Sequence, residues 1–261
     1  MRAVCSSVTT GASAVLMRFA CATAILIRMI PAHDEVGWGQ RASEVGSLLA
    51  AAVLIGIHIE RLVAAPLTWT LAIAAAAGAV FADFISGLVH WFADTWFEET
   101  MPILGRRLLR PFRVHHVNPD DFLRRDFIDT NGDVSMVILP LLLAIFLFPP
   151  SSFAAVLLLS MCIVGWPTNQ VHQWAHMPDA PRAVAWLQSR RILLSGADHR
   201  MHHRAPYVEY YCIATGWLNR LLTAIRFFRR LEAAITHFTG LRPREDDGRF
   251  IESVCEGRVR G

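Results

Sequence analysis

Apolar residues in this chain fall in long blocks and do not recur at a strand or surface-helix period. Two blocks occupy roughly residues 45–65 and 67–93, and a third runs from Val134 to Trp166. A helix of about 20 apolar residues spans a bilayer's hydrocarbon core. The third block is broken by Pro149-Pro150-Ser151-Ser152. Proline has no amide hydrogen and clashes with the preceding turn, so no helix runs unbroken through that stretch. The pattern predicts a hairpin of two short spans there, 134–148 and 152–167. The remaining segments, 98–133 and 168–261, are polar or mixed. The predicted fold class is all-α: a polytopic helical membrane protein with about four transmembrane helices. Its organisation is a poorly defined N-terminal segment (1–44), a membrane-embedded domain (45–230) and a C-terminal cytoplasmic tail (231–261). The N-terminal segment starts like a signal peptide. Arg18 and Arg28 interrupt its apolar run, and no small-residue cleavage site follows.

Composition agrees with this reading. Hydrophobic residues make up 54%, charged residues 18%, and the mean hydropathy is +0.37, which excludes a disordered chain. All 25 basic residues are Arg, and the net charge is only +3, so no nucleic-acid partner is implied. The Arg distribution orients the chain. Segment 98–133 carries six and segment 168–261 carries fourteen, whereas the loop between the first two spans holds at most Arg61 and the Pro-Pro turn holds none. The positive-inside rule places both polar segments in the cytoplasm. An even number of spans between them requires the same. Cys5, Cys21, Cys162, Cys212 and Cys255 are scattered, with no CxxC pair, so neither a disulfide framework nor a Cys-based zinc site is expected.

Histidine carries the chemical signal. Eight of the eleven fall in four short blocks: His90; His115 and His116; His172 and His176; His199, His202 and His203. The predicted topology brings all four blocks to one membrane face. Spacings of three and four put ligands on one side of a helix, and neutral imidazole is the commonest metal ligand. His33, His58 and His237 stand alone and read as structural. One catalytic zinc needs only three protein ligands, so eight imidazoles fit two metals better. Imidazole alone does not choose among iron, zinc and copper. Asp83, Gly87, His90 and Asp94 lie on one helical stripe, and an ionisable group in an apolar span is a functional candidate. Asp83 and Asp94 are therefore candidate ligands, or acceptors that orient a ligating imidazole. Asp198, beside His199, is a candidate for the same part. The run Arg124-Arg125-Asp126-Phe127-Ile128-Asp129-Thr130-Asn131-Gly132-Asp133 reads by spacing as a turn leading into the third span. It lacks the closing Glu of an EF-hand.

The blocks SGLVHWFADTW, RPFRVHHVNPDDFLRRDFIDTNGD, TNQVHQWAHM and HRMHHRAPYVEYYCIATGWLN, taken together, resemble the Kua/CarF family of plasmanylethanolamine desaturases. That family is related to the plant chloroplast enzyme that introduces a trans double bond into palmitate on phosphatidylglycerol. The resemblance covers about residues 45–225 and marks 45–230 as a lipid desaturase domain. It implies an oxidoreductase that places a 1′–2′ double bond in the 1-O-alkyl chain of an ether phospholipid, using O₂ and two external electrons at a cytoplasmic di-iron site. The eight block histidines match the family's essential ones. Asp126, Asn131 and Asp133 fall in a matching block, which makes them candidates for tuning the ligands.

A separate electron donor is expected, a ferredoxin or a cytochrome b5-like carrier, because the chain has no GxGxxG and no fused flavin or haem domain. An Arg-rich face would steer an acidic carrier. The Arg-rich loop offers forks for a phospholipid headgroup, or else only sets topology and touches anionic lipid. The membrane would be the bacterial inner membrane or the endoplasmic reticulum, according to source. Three rivals stand beside the plasmalogen reading. An acyl-chain desaturase or hydroxylase would use the same metals. A metal-binding sensor or transporter would place its ligands at mid-membrane. A zinc hydrolase would need a motif such as HExxH, which is absent.

Overall fold

The apolar blocks form long helices, three of them with a side-chain cap at the start, from Thr68, Asp126 and Ser151. The computed structural model describes residues 36–63, 66–204 and 206–244, and among them no strand forms. Helix α1 spans Trp38–Val63 and α2 spans Trp69–Thr95. Thr68 caps α2 by accepting from the Leu71 amide. Helix α3, Arg110–Val117, is entered through a π-helical turn, Gly105–Leu109, and is followed by the short α4, Pro119–Leu123. Helix α5 is Phe127–Leu147 and α6 is Ser152–Gly165. Helix α7, Thr168–His176, follows α6 after two residues, and the pair together is long enough to cross a membrane. Helices α8 (Arg182–Ser189), α9 (Gly196–His202), α10 (Asn219–Ala224) and α11 (Phe227–Thr239) complete the chain.

Four helical stretches are therefore long and apolar enough to cross a membrane. Only 17–33% of each apolar stretch is buried within the protein. The rest, including exposed Val53, Ile73, Val137 and Phe153, needs lipid as its solvent. The protein is an integral membrane protein.

The spans pair as α1 with α5 and α2 with α6. Each pair is parallel. Along the first, Ser47 donates to the Gly132 carbonyl (3.3 Å) and His58 Nε2 to the Leu142 carbonyl (3.0 Å). His58 is thus buried and structural, as expected. Along the second, Ser160 donates to the Ala75 carbonyl (2.7 Å). Gly78 makes the closest approach: a Cβ there would sit 2.2 Å from the Leu157 carbonyl oxygen. Small residues at such points let helices pack in lipid, where no hydrophobic force draws them together.

Two boundaries differ from the hydropathy reading. Helix α1 starts at Trp38, within the segment assigned to the N-terminal 44 residues; residues 1–35, including His33, lie outside the described residues. The run from Phe127 to Asp133 is helical, forming the first two turns of α5. Asp126 caps it, accepting from the Asp129 amide at 2.9 Å. Hydropathy averages pass over these turns because polar residues outnumber the apolar ones in them.

The short helices and the segments that join them gather at one end of the bundle. Arg113 is buried and donates to Glu99 (2.5 Å) and to the carbonyls of Trp96 (2.7 Å) and Phe97 (2.6 Å), which pins α3 onto the end of α2. Asp83, fully buried in α2, accepts the backbone N–H groups of Thr215 (2.8 Å), Gly216 (2.8 Å) and Leu218 (3.0 Å). Gly87 lets Cys212 lie directly against α2. The segment from Tyr211 to Leu218 is thereby fixed to the span that carries His90.

Candidate metal centre

Four elements bring the eight block histidines to one point. His90 comes from the end of α2, His115 and His116 from α3, His172 and His176 from α7, and His199, His202 and His203 from α9 and its cap. Their candidate ligand atoms form two groups, each within 4.8 Å: His115, His172, His176, His199 and His203; and His90, His115, His116 and His202. His115 belongs to both.

In the first group, His199 Nε2 lies 2.9 Å from Nε2 of His172, 2.8 Å from His176 and 3.0 Å from His203. His172 and His176 are 3.3 Å apart. A neutral imidazole nitrogen carries one hydrogen or one lone pair and so makes one hydrogen bond. Three neighbours at hydrogen-bond distance exceed that capacity. A shared cation resolves the crowding, because metal–nitrogen bonds of about 2.0–2.1 Å place neighbouring ligand nitrogens roughly 3 Å apart.

In the second group, His116 Nε2 and His202 Nε2 approach to 3.0 Å. One oxygen of Asp94 lies 3.3 Å from His90 Nε2, 3.4 Å from His202 Nε2 and 3.6 Å from His116 Nε2. Three imidazoles and a carboxylate oxygen thus converge. Backbone carbonyls fix two of the rings. His90 Nδ1 donates to Tyr211 O (3.1 Å) and His202 Nδ1 to Glu209 O (2.8 Å). A carbonyl can only accept, so the proton sits on Nδ1 and the Nε2 lone pair faces the cluster.

Burial keeps the site in its metal-binding form. His115, His199 and His203 are all held well below the usual imidazole range, first by burial and then by neighbouring imidazoles. They are neutral at physiological pH. Tyr207 stacks on His116 with ring centroids 4.8 Å apart. Burial raises the pKa of Tyr211, whose hydroxyl donates to Tyr207 O.

The other candidate carboxylates lie elsewhere. Asp83 anchors the loop after Tyr211, as described above. Asp126 caps α5 and pairs with Arg41 at 2.5 Å, which lowers its pKa. Asn131 is buried and donates to the Phe127 carbonyl (2.8 Å). Asp133 accepts from Arg107 (2.6 Å). Asp198 accepts from the hydroxyl of Ser195, which caps α9. His237 lies on α11, away from both groups. Sequence reading missed Tyr207, and it missed the carbonyls of Glu209 and Tyr211, since any residue supplies a carbonyl. It also missed Gln173, which donates to the Phe122 and Arg125 carbonyls and ties α7 to the α4 turn.

A cavity of about 430 Å³ opens beside the cluster. His115 and His172 line one part, and its walls are mainly apolar side chains of α2, α5 and α6. Cofactor and substrate pockets are commonly this size and character.

The lipid desaturase domain family matches residues 79–246, a region that contains the whole cluster. The chain belongs to the lipid desaturase family. It is 41% identical over 213 residues to the plasmanylethanolamine desaturase of Myxococcus xanthus, covering 79% of this chain and 76% of that protein. It is 40% identical over 229 residues to plasmanylethanolamine desaturase 1 of Mus musculus, covering 83% and 84%. A more distant relative is fatty acid desaturase 4, chloroplastic, of Arabidopsis thaliana, 35% identical over 192 residues and covering 70% and 58%. No solved structure matches this lipid desaturase.

Proposed function

We propose that the chain is an O₂-dependent desaturase that converts the 1-O-alkyl chain of an ether phospholipid into a 1-O-alk-1′-enyl chain, giving a plasmalogen. The observation that carries this reading is the convergence of eight imidazoles and Asp94 beside an apolar cavity. The names of the two relatives near 40% identity support the substrate.

His172, His176, His199 and His203 would hold one iron. His90, His116, His202 and Asp94 would hold the other, with His115 between them. Bound iron supplies the O₂ redox chemistry that no side chain provides. In the overall reaction the alkyl chain loses one hydrogen atom from each of C1′ and C2′, and the two atoms carry two protons and two electrons between them. Two more electrons and two protons come from outside, and O₂ leaves as two waters. The protein's own part is positional. The carbonyls of Tyr211 and Glu209 hold two rings with their lone pairs inward. Burial excludes bulk water. The apolar walls hold the alkyl chain with its ether end toward His115 and His172. Asp83 and Asn131 hold the scaffold.

The Arg-rich segments support a cytoplasmic site, and a separate ferredoxin or cytochrome b5-like protein would deliver the electrons. The 35% likeness to a fatty acid desaturase favours acyl-chain desaturation as the second reading.

The test is lipid mass spectrometry on plasmalogen-free cells that express the chain and are fed 1-O-alkylglycerol. Acid-labile vinyl ethers are expected, falling below about 1% of wild type in His199→Ala and His172→Ala, as losses of transition-state chemistry commonly do. A new double bond in acyl chains, with no vinyl ether, would replace the first reading with the second.

A further inference from the structure

One face of α5 changes character along its length. Asp129, Asp133, Val137 and Leu141 recur every four residues, and all four line the cavity beside the metal cluster. The two aspartates lie toward the capped start of the helix and the apolar residues further into the span. Each aspartate meets an arginine that lines the same cavity. Arg125 grips Asp129 through two parallel bonds, Nε to Oδ2 at 2.7 Å and Nη2 to Oδ1 at 2.8 Å. Arg107, on the π-helical turn, donates from Nη2 to Asp133 Oδ1 at 2.6 Å. The first pair is nearly buried, with side-chain exposures of 14% and 6%, whereas the second is half-open at 39% and 33%. An acid in the first turn of a helix is explained by the helix dipole. Asp133 lies in the second turn, and the dipole does not account for an ion pair set into the wall of an apolar cavity.

The cavity therefore has three zones: buried His115 and His172, an apolar run down α5, and two Arg–Asp pairs. An ether phospholipid has the same three parts: the carbons beside the ether oxygen, the hydrocarbon tail, and the headgroup. We propose that Arg107, Arg125 and Asp133 form a headgroup subsite that selects a phosphate bearing a primary ammonium. The N–H groups of Arg107 and Arg125 that the aspartates leave over are the donors for the phosphate. The second carboxylate oxygen of Asp133 takes the ammonium. Asp129 spends both oxygens on Arg125 and fixes its plane, which makes it a positioning residue. The four groups sum to zero charge, which matches a zwitterion. An anionic glycerol headgroup brings no ammonium to the second oxygen of Asp133, and a choline headgroup has no N–H to donate to it.

This inference rests on the ether-lipid reading, and its test separates the two. Purified, iron-loaded enzyme in nanodiscs would receive equal amounts of 1-O-alkyl lipids with ethanolamine, choline and glycerol headgroups, plus reductant and O₂. The vinyl-ether products would be counted by headgroup. For wild type, ethanolamine product is expected to dominate. In Asp133→Asn the ethanolamine-to-choline ratio should fall about tenfold or more, the scale of one charge-assisted hydrogen bond. Arg107→Gln should raise KM for every phospholipid, and Arg107→Lys should restore part of it. Should Asp133→Asn fail to fold, judged by its elution and iron content, Asp133→Glu takes its place and must shift the same ratio. Vinyl ether formed with an unchanged headgroup ratio in the folded variants would overturn the subsite. No vinyl ether from iron-loaded wild type would instead sink the proposed function.

Discussion

Each imidazole in the cluster has one nitrogen turned inward, and the two groups differ in what completes them. The first is all histidine, and the second includes the Asp94 carboxylate. Under the proposed two-iron assignment, removing one ligand should damage one metal more than the other. His199→Ala and His202→Ala should each retain about one iron of two when assayed by plasma mass spectrometry on purified protein. A single four-ligand site would lose all its metal in both. Asp94→Asn keeps the shape but removes the charge, and should weaken metal binding by about 10- to 100-fold.

All eight clustered histidines were legible in the sequence, because HH, HxxxH and HxxHH are conspicuous in so apolar a chain. Asp94 was legible only as one of two acids on a stripe with His90. The stripe could not tell them apart. Asp83 lies eleven residues earlier, about 16 Å along the helix, and there it meets the backbone of residues 215–218 instead of the histidine cluster. The carbonyls that orient His90 and His202 were invisible, since their effect depends on backbone direction alone.

At the scale of elements, span existence was legible and span extent was not. The Pro149-Pro150 break falls between α5 and α6 as expected. The early starts of α1 and α5 escaped because their first turns are rich in polar residues held by the Asp126 cap and the Arg41–Asp126 pair, which an average over hydropathy discards. Which spans pair was also out of reach, because small residues are common throughout them. Gly78 marks the pairing of α2 with α6, and it yields a test. A side chain there meets the Leu157 backbone, which cannot swing aside. Gly78→Val should destabilise the fold by about 1–3 kcal/mol, the usual cost of overpacking. In a thermal-unfolding series in detergent it should melt below wild type. Gly46→Val, whose added Cβ meets nothing within 4 Å, should not.

The whole molecule joins two solvents. Four spans stand in lipid, and the loops and short helices at one end close over the cluster, so that a substrate held in the membrane would reach a metal site built of protein. This arrangement explains why the histidines sit at span ends and in the turns beyond them, not at mid-membrane as in a transporter. It also explains why an apolar cavity and two ion pairs share one wall.

The central claim is that these ligands serve removal of hydrogen from C1′ and C2′ of an ether-linked chain. A single turnover tests it most directly. Purified, iron-loaded protein in nanodiscs would be given a 1-O-alkyl phosphoethanolamine lipid carrying deuterium at both carbons. A chemical reductant and O₂ would follow, and the lipid would then be weighed by mass spectrometry. The account predicts an acid-labile product that has lost one deuterium from each carbon, absent with His199→Ala. A hydroxylated product retaining one of those deuteriums in place, or a double bond in an ester-linked chain, would contradict it.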